Sequence, residues 1–225
     1  MDERTLRELE LAEVAKLYGW AQRAVEKVAQ APAPALRDVS TLDWDALQEA
    51  VRTCTQCGLC ETRKQAVFGV GSRSGPWMFV GEGPGADEDE LGDPFVGQAG
   101  KLLDSMLAAA GLKRGRDVYI ANVVKCRPPG NRTPTPEEAA ACAGYLDRQI
   151  ELVAPRMLVA LGKTAAIRLL GTEASLASLR GRVHRYKGTP LVVTYHPAYL
   201  LRTLPDKARA WEDLLLARHA ITAPA

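Results

Sequence analysis

An α/β fold in three layers, with helices on both faces of a central four-stranded, mainly parallel sheet, is what this sequence predicts. Two observations carry the prediction. Four short apolar runs, at 77–80, 118–121, 157–161 and 191–195, read as buried strands. Helical stretches at about 97–111, 136–153 and 162–170 separate them, and another near 206–219 follows the last. Strand and helix alternating at that spacing make parallel crossovers, not hairpins.

The elements before the sheet have a different character. Residues 4–30 repeat Leu6, Leu9, Val14, Leu17, Ala21, Val25 and Val28 at three- and four-residue steps, the pattern of an amphipathic helix. The segment APAPA at 31–35 ends it and is stiff and extended. A short helix around 43–52 follows, and the cysteine-rich segment begins at once. The chain therefore divides into an N-terminal helical extension with its linker, 1–50, and a main domain, 51–225. The extension reads as an appended element or a docking arm for a protein partner.

Charge is unevenly spread. The formal net charge of the 225 residues is +2, yet residues 1–50 hold six basic and ten acidic side chains, which leaves 23 against 17 in 51–225. A mildly basic main domain suits a nucleic-acid or phosphate ligand without establishing one. No uncharged apolar run approaches the roughly 18 residues of a membrane span. The charged start MDERTLRELE is no secretory signal, so a soluble, cytoplasmic protein with reduced thiols is expected, with no membrane partner.

In parallel sheets ligands bind beyond the carboxyl ends of the strands. After the first predicted strand stands GEGPG (81–85), after the second Asn122, and after the fourth His196. A glycine-rich turn, an amide and an imidazole would gather at one sheet edge as a pocket with both donors and acceptors. The third strand ends in LGKT; a Walker loop would need glycine where Met157 stands, and GVGSRSG (69–75) precedes a strand instead of following one. The acidic run 87–90 reads as a solvated helix start or loop.

The five cysteines are an odd number for a disulfide framework. Cys54, Cys57 and Cys60 form CxxCxxC, and Cys126 and Cys142 follow far downstream. Four thiolates satisfy tetrahedral zinc or an iron-sulfur cluster equally, and spacing selects neither the metal nor which four bind.

Several long motifs in order carry a resemblance: CTQC (54–57), VFGVG (67–71), VGEGPGADEDELGDPFVGQAGKLLD (80–104), VYIANVVKCRPPGNRTPTPEE (118–138), Cys142, LGKTAA (161–166) and YHPAYLLR (195–202). Together they resemble the family 4 uracil-DNA glycosylases, the iron-sulfur branch of that superfamily, from about residue 54 to 219. The resemblance implies a DNA-repair hydrolase, acting as a monomer on single- or double-stranded DNA in the cytoplasm and nucleoid. It also implies a [4Fe-4S] cluster on Cys54, Cys57, Cys126 and Cys142, with Cys60 a spare thiol.

The resemblance assigns roles as well. An enzyme that cleaves uracil from a duplex must flip it out, read its edge and stabilise charge as the bond breaks. Phe95 stacks on the base. The amide of Asn122 accepts from N3–H and donates to O4, an arrangement cytosine cannot match. His196 donates to O2, where negative charge develops. Gly83 occupies the position at which the best-known branch has a water-orienting Asp, and Glu82 is the nearest ionisable substitute, positioning water or contacting the base. Leu200 is the expected wedge into the emptied stack and Arg202 a phosphate contact. Relatives that trap the abasic product use a His in an Arg-rich loop; CRPPGNRTPTPEE (126–138) has none, which implies turnover. Two other readings compete. A cluster- or zinc-containing binding module without catalysis leaves Asn122, Phe95 and His196 without a reason to converge. An electron-transfer protein rests on CxxCxxC alone.

Overall fold

The structure is a computed structural model that describes residues 37–222, together with Lys16 and Gly19, both in helical conformation. The helix expected over 4–30 otherwise lies outside the described residues, as does the segment 31–35. A compact unit begins at Arg37 and contains the whole sheet.

Helix α1, Trp44–Arg52, is capped by Asp43, whose carboxylate accepts from the Ala46 amide at 2.9 Å. It buries Leu47, Ala50 and Val51 in the core of this unit. A two-residue strand β1 (Val70–Gly71) leads to β2 (Trp77–Gly81), then α2 (Ala86–Leu91), α3 (Gln98–Ala109) and β3 (Val118–Asn122). Next come α4 (Pro136–Val153), β4 (Met157–Leu161), α5 (Lys163–Leu170) and the short α6 (Leu176–Leu179). The chain closes with β5 (Val183–Tyr186), β6 (Thr189–Thr194), α7 (Pro197–Leu200) and α8 (Asp206–Thr222).

The sheet has six strands in the order β1-β3-β2-β4-β6-β5. The expected four-stranded sheet needs correction here. Its four strands are all present and mutually parallel, but β1 and β5 add one antiparallel strand at each edge. Both additions lack the signal of a buried run: β1 is two residues long, and in β5 only Tyr186 is buried. Short or polar strands are how an open sheet protects its edges from pairing with other chains.

Alternation along the parallel strands divides the apolar side chains between two faces. Met78, Val80, Tyr119, Ala121, Leu158 and Ala160 pack with α1, α4 and α5. Trp77, Phe79, Val118, Ile120, Met157 and Val159 face the other way, with α3 and α8. Three layers result, as predicted. The strand order reverses at β2, so β2 and β4 part at their carboxyl ends, the crevice in which such sheets bind ligands.

Candidate active site

One cavity of about 530 Å³ opens at that edge, lined by Glu82, Gly83, Phe95, Asn122, His196 and Arg202 among others. The predicted residues converge, save Leu200. Each is held by a local device.

Asn122 ends β3 opposite Gly81 and is 2% exposed, yet its Oδ1 has no hydrogen-bond partner among the described residues. A buried acceptor left unmatched is costly unless a ligand completes it. Gly81 makes room for it: a Cβ there would stand 2.4 Å from Asn122 Oδ1 and 2.7 Å from the Phe95 ring.

Phe95 is buried and adopts φ 57°, the left-handed region that bulky residues avoid. The strain is countered by Arg114, which donates to the carbonyls of Pro94 and Phe95, both at 3.0 Å, while its Nε donates to Asp104 at 2.7 Å. Gly100 permits the tight packing, since a Cβ there would fall 1.8 Å from the Phe95 oxygen.

His196 caps α7, its Nδ1 accepting from the Ala198 amide at 3.2 Å. That bond leaves the proton on Nε2. Burial, reinforced by the nearby Arg202 cation, lowers its pKa to about 4, so the ring is neutral at physiological pH. The imidazole lies beside Phe95, ring centroids 5.4 Å apart.

Glu82 follows β2, and its carboxylate accepts from the Thr164 hydroxyl of α5. Gly83 could not carry a side chain without displacing Val124, whose Cγ2 would be 2.8 Å from the added Cβ. Arg202 is exposed at the rim. Leu200 is 1% exposed, on the helix that packs against α3. Of the two adjacent leucines Leu201 is the outward one, 42% exposed, with Tyr199 and Leu204 exposed on either side of it at 36% and 60%.

Sequence reasoning missed several residues that hold this arrangement. The acidic run 87–90 lies within α2, and two of its carboxylates bind backbone instead of water. Glu88 accepts from Gly85 N–H at 3.0 Å and from Val96 and Gly97 N–H at 3.1 and 3.3 Å, tying the glycine turn to the Phe95 loop. Asp89 is buried and accepts from the Lys64 amide at 2.9 Å. Only half of a capping box is present, Glu88 reaching back to the Gly85 N–H, because a glycine cap has no side chain to return the bond, so the usual sequence signature is missing. Thr164, Arg114 and Lys125 carried no local mark either.

All five cysteines line a second, smaller cavity walled by the segment after α1, the loop after β3 and α4, together with Arg63, Lys125 and Tyr145, and none is in a disulfide. Burial pushes the Cys57 thiol up, that of Cys126 to about 11 and that of Cys142 to about 12. Arg63 donates to Cys126 Sγ at 2.9 Å. The donor set fits a thiolate-liganded cationic group: Cys126 and Cys142 are buried and the other three part-buried, Arg63 and Lys125 line the same cavity, and bound cations would offset the burial that otherwise favours S–H.

A three-layer fold with an amide, an aromatic ring and a neutral imidazole at the carboxyl edge of its sheet belongs to a known class. The model described as the uracil DNA glycosylase superfamily matches residues 68–215. The type-4 uracil-DNA glycosylase of Thermotoga maritima is 47% identical over 181 residues, covering 79% of this chain and 94% of that protein. That of Archaeoglobus fulgidus is 45% identical, over 70% of this chain and 82% of its own length. That of Pyrobaculum aerophilum is 44% identical, over 78% and 93%. The chain belongs to the type-4 uracil-DNA glycosylases. Among the described residues no helix is long and apolar enough to cross a membrane.

Proposed function

We infer that this chain flips uracil out of single- or double-stranded DNA and hydrolyses its N-glycosidic bond, leaving an abasic site for base excision repair. The observation that carries the reading is the unpartnered, buried Oδ1 of Asn122 in a cavity shared with Phe95 and His196. A uracil stacked on Phe95 offers N3–H to that oxygen, and the Asn122 amide donates to O4. Cytosine would present an unprotonated N3 and an amino group, leaving the site's polar atoms mismatched.

As the bond breaks, negative charge grows on the base and the sugar becomes cationic. His196 donates from Nε2 to O2, stabilising the leaving anion more than the bound substrate. Glu82, held by Thr164, faces the sugar side, where its carboxylate offsets the positive charge and orients the attacking water. Gly83 lets the backbone approach closely. Arg202 contacts phosphate at the rim, and the side chain that enters the emptied stack is Leu201, since Leu200 is packed within the fold.

Cys54, Cys57, Cys126 and Cys142 hold a [4Fe-4S] cluster in this reading, with Cys60 spare. By donor type four thiolates satisfy one zinc or a cluster alike, and the resemblance to the iron-sulfur branch selects the cluster. When bound, the cluster cross-links the segment before the sheet to α4 and to the loop after β3. Deleting residues 1–40 and measuring uracil release tests whether the N-terminal segment takes part in the chemistry.

Uracil release from single- and double-stranded oligonucleotides tests the activity; no release, or full release by Asn122→Ala, overturns it. Anaerobic purification tests the cluster: about four irons with labile sulfide per chain are expected, and one zinc without sulfide refutes it.

A further inference from the structure

Lys125 lines the cysteine cavity and also grips the backbone of a residue that lines the other. Its side chain is 1% exposed, and its ammonium donates to the main-chain oxygen of Asn122 at 2.8 Å and to Gln149 Oε1 at 2.6 Å. Gln149 is itself buried and anchored, donating to the Phe68 carbonyl at 2.9 Å. Neither partner of the ammonium is a carboxylate, and among the described residues Lys125 forms no ion pair with Asp or Glu. A buried charge without a counter-charge is strongly unfavourable. The groups on the same cavity that would become anionic on binding a metal group are the thiols, Cys126 and Cys142 among them.

We propose that Lys125 is a positioning residue that couples the cluster chamber to base recognition. A [4Fe-4S] cluster in its usual 2+ core state, with four thiolates, carries a net charge of about −2. The two cations of this chamber, Lys125 and Arg63, balance it. Arg63 does only that, spending its other contact on the Arg52 carbonyl at 3.1 Å. Lys125 also fixes the carbonyl of Asn122 by closing the turn from Asn122 to itself. The ammonium that the cluster's charge retains in the interior thus holds the end of β3 from which the base-reading amide projects. The cluster would thereby set the order of the uracil site without touching substrate. The proposal rests on the assignment of a cluster to these cysteines.

The test compares wild type with Lys125→Met, Lys125→Arg and Arg63→Met, all purified anaerobically. Two quantities are read: the rate at which a chelator bleaches the cluster, and the affinity for free uracil in protein of matched iron content. Lys125→Met should lose iron faster and bind uracil about tenfold more weakly, the loss of one well-placed hydrogen bond. Affinity for abasic-site DNA, which is set by phosphate contacts, should stay within about twofold. Lys125→Arg keeps the charge but not the fit, so it should keep its iron and still bind uracil more weakly. Arg63→Met should lose iron faster with uracil affinity unchanged. A wild type that holds no iron overturns the cluster reading and this proposal together. A wild type with its iron, beside a Lys125→Met protein unchanged in both quantities, overturns the proposal alone. Equal weakening of uracil and abasic-site DNA would mark Lys125 as a general structural residue and also overturn it. If Lys125→Met does not fold, Lys125→Arg with undiminished uracil affinity is the refuting result.

Discussion

Gly81→Ala puts one methyl group where the Asn122 amide and the Phe95 ring, the proposed readers of the base, meet. The added Cβ would stand 2.4 Å from Asn122 Oδ1 and 2.7 Å from Cε2 and Cζ of Phe95. Comfortable contact begins near 3.5 Å, so amide and ring must each retreat by about 1 Å. The backbone cannot give way instead. Gly81 pairs with Asn122 in the sheet, and its oxygen accepts from Val123 N–H at 2.9 Å. Overpacking of this kind costs about 1–3 kcal/mol of stability. A misplacement of about 1 Å at a catalytic site lowers the rate on the order of a hundredfold. Single-turnover cleavage of a uracil-containing duplex measures the rate, thermal unfolding the stability, and binding to abasic-site DNA the control. The expected result is a folded protein, slowed about a hundredfold, with abasic-site DNA affinity within roughly twofold of wild type. A folded Gly81→Ala that cleaves uracil at the wild-type rate would refute the placement of the base between Asn122 and Phe95.

His196 binds fewer protons folded than unfolded between its ordinary pKa of 6.5 and about 4. Its contribution to stability therefore falls as the pH drops through that window, by about 3 kcal/mol, and changes no further below it. Urea unfolding across that range should show the slope, and His196→Asn should lack this part of it; an unchanged slope argues against a buried neutral ring. Leu201→Ala should reduce cleavage in duplex more than in single strands, whereas Leu200→Ala should chiefly lower stability, by about 2–4 kcal/mol for a buried leucine. The reverse pattern would return the wedge to Leu200. Glu88→Gln turns an amide donor toward amide donors and should slow single-turnover cleavage about tenfold; an unaltered rate would show that the tie between the glycine turn and the Phe95 loop is dispensable.

Whatever depends on near neighbours was legible in the sequence. Runs such as MLVAL at Met157–Leu161, buried at every position, announce strands covered on both faces. The start of α4 is written in TPEE: Thr135 accepts from the Glu138 amide at 3.3 Å, and Glu138 accepts from Thr135 N–H at 2.8 Å. Asn122 and His196 could be nominated because a strand end is a place, not merely a residue type. Edge strand β5 was not legible, because its mixed polar pattern is also that of a loop. Lys125 looked like any basic residue beside a cysteine, since its significance lies in a glutamine 24 positions away. Leu200 and Leu201 cannot be told apart by alignment to a motif; one turn of α7 decides which faces inward.

In the proposed reaction the left-handed turn at Phe95 bears on the order of events. Its backbone conformation is held by the protein's own bonds, Arg114 donating to the Phe95 carbonyl and to Asp104. An aromatic shelf held in this way is not assembled by the incoming base. Little conformational freedom remains for the protein to lose on capture, and the entropy of ordering falls on the extruded nucleotide. Discrimination then acts on the first visit of a base to the pocket: one that does not match meets a finished surface and leaves, with no half-formed site to remodel around it.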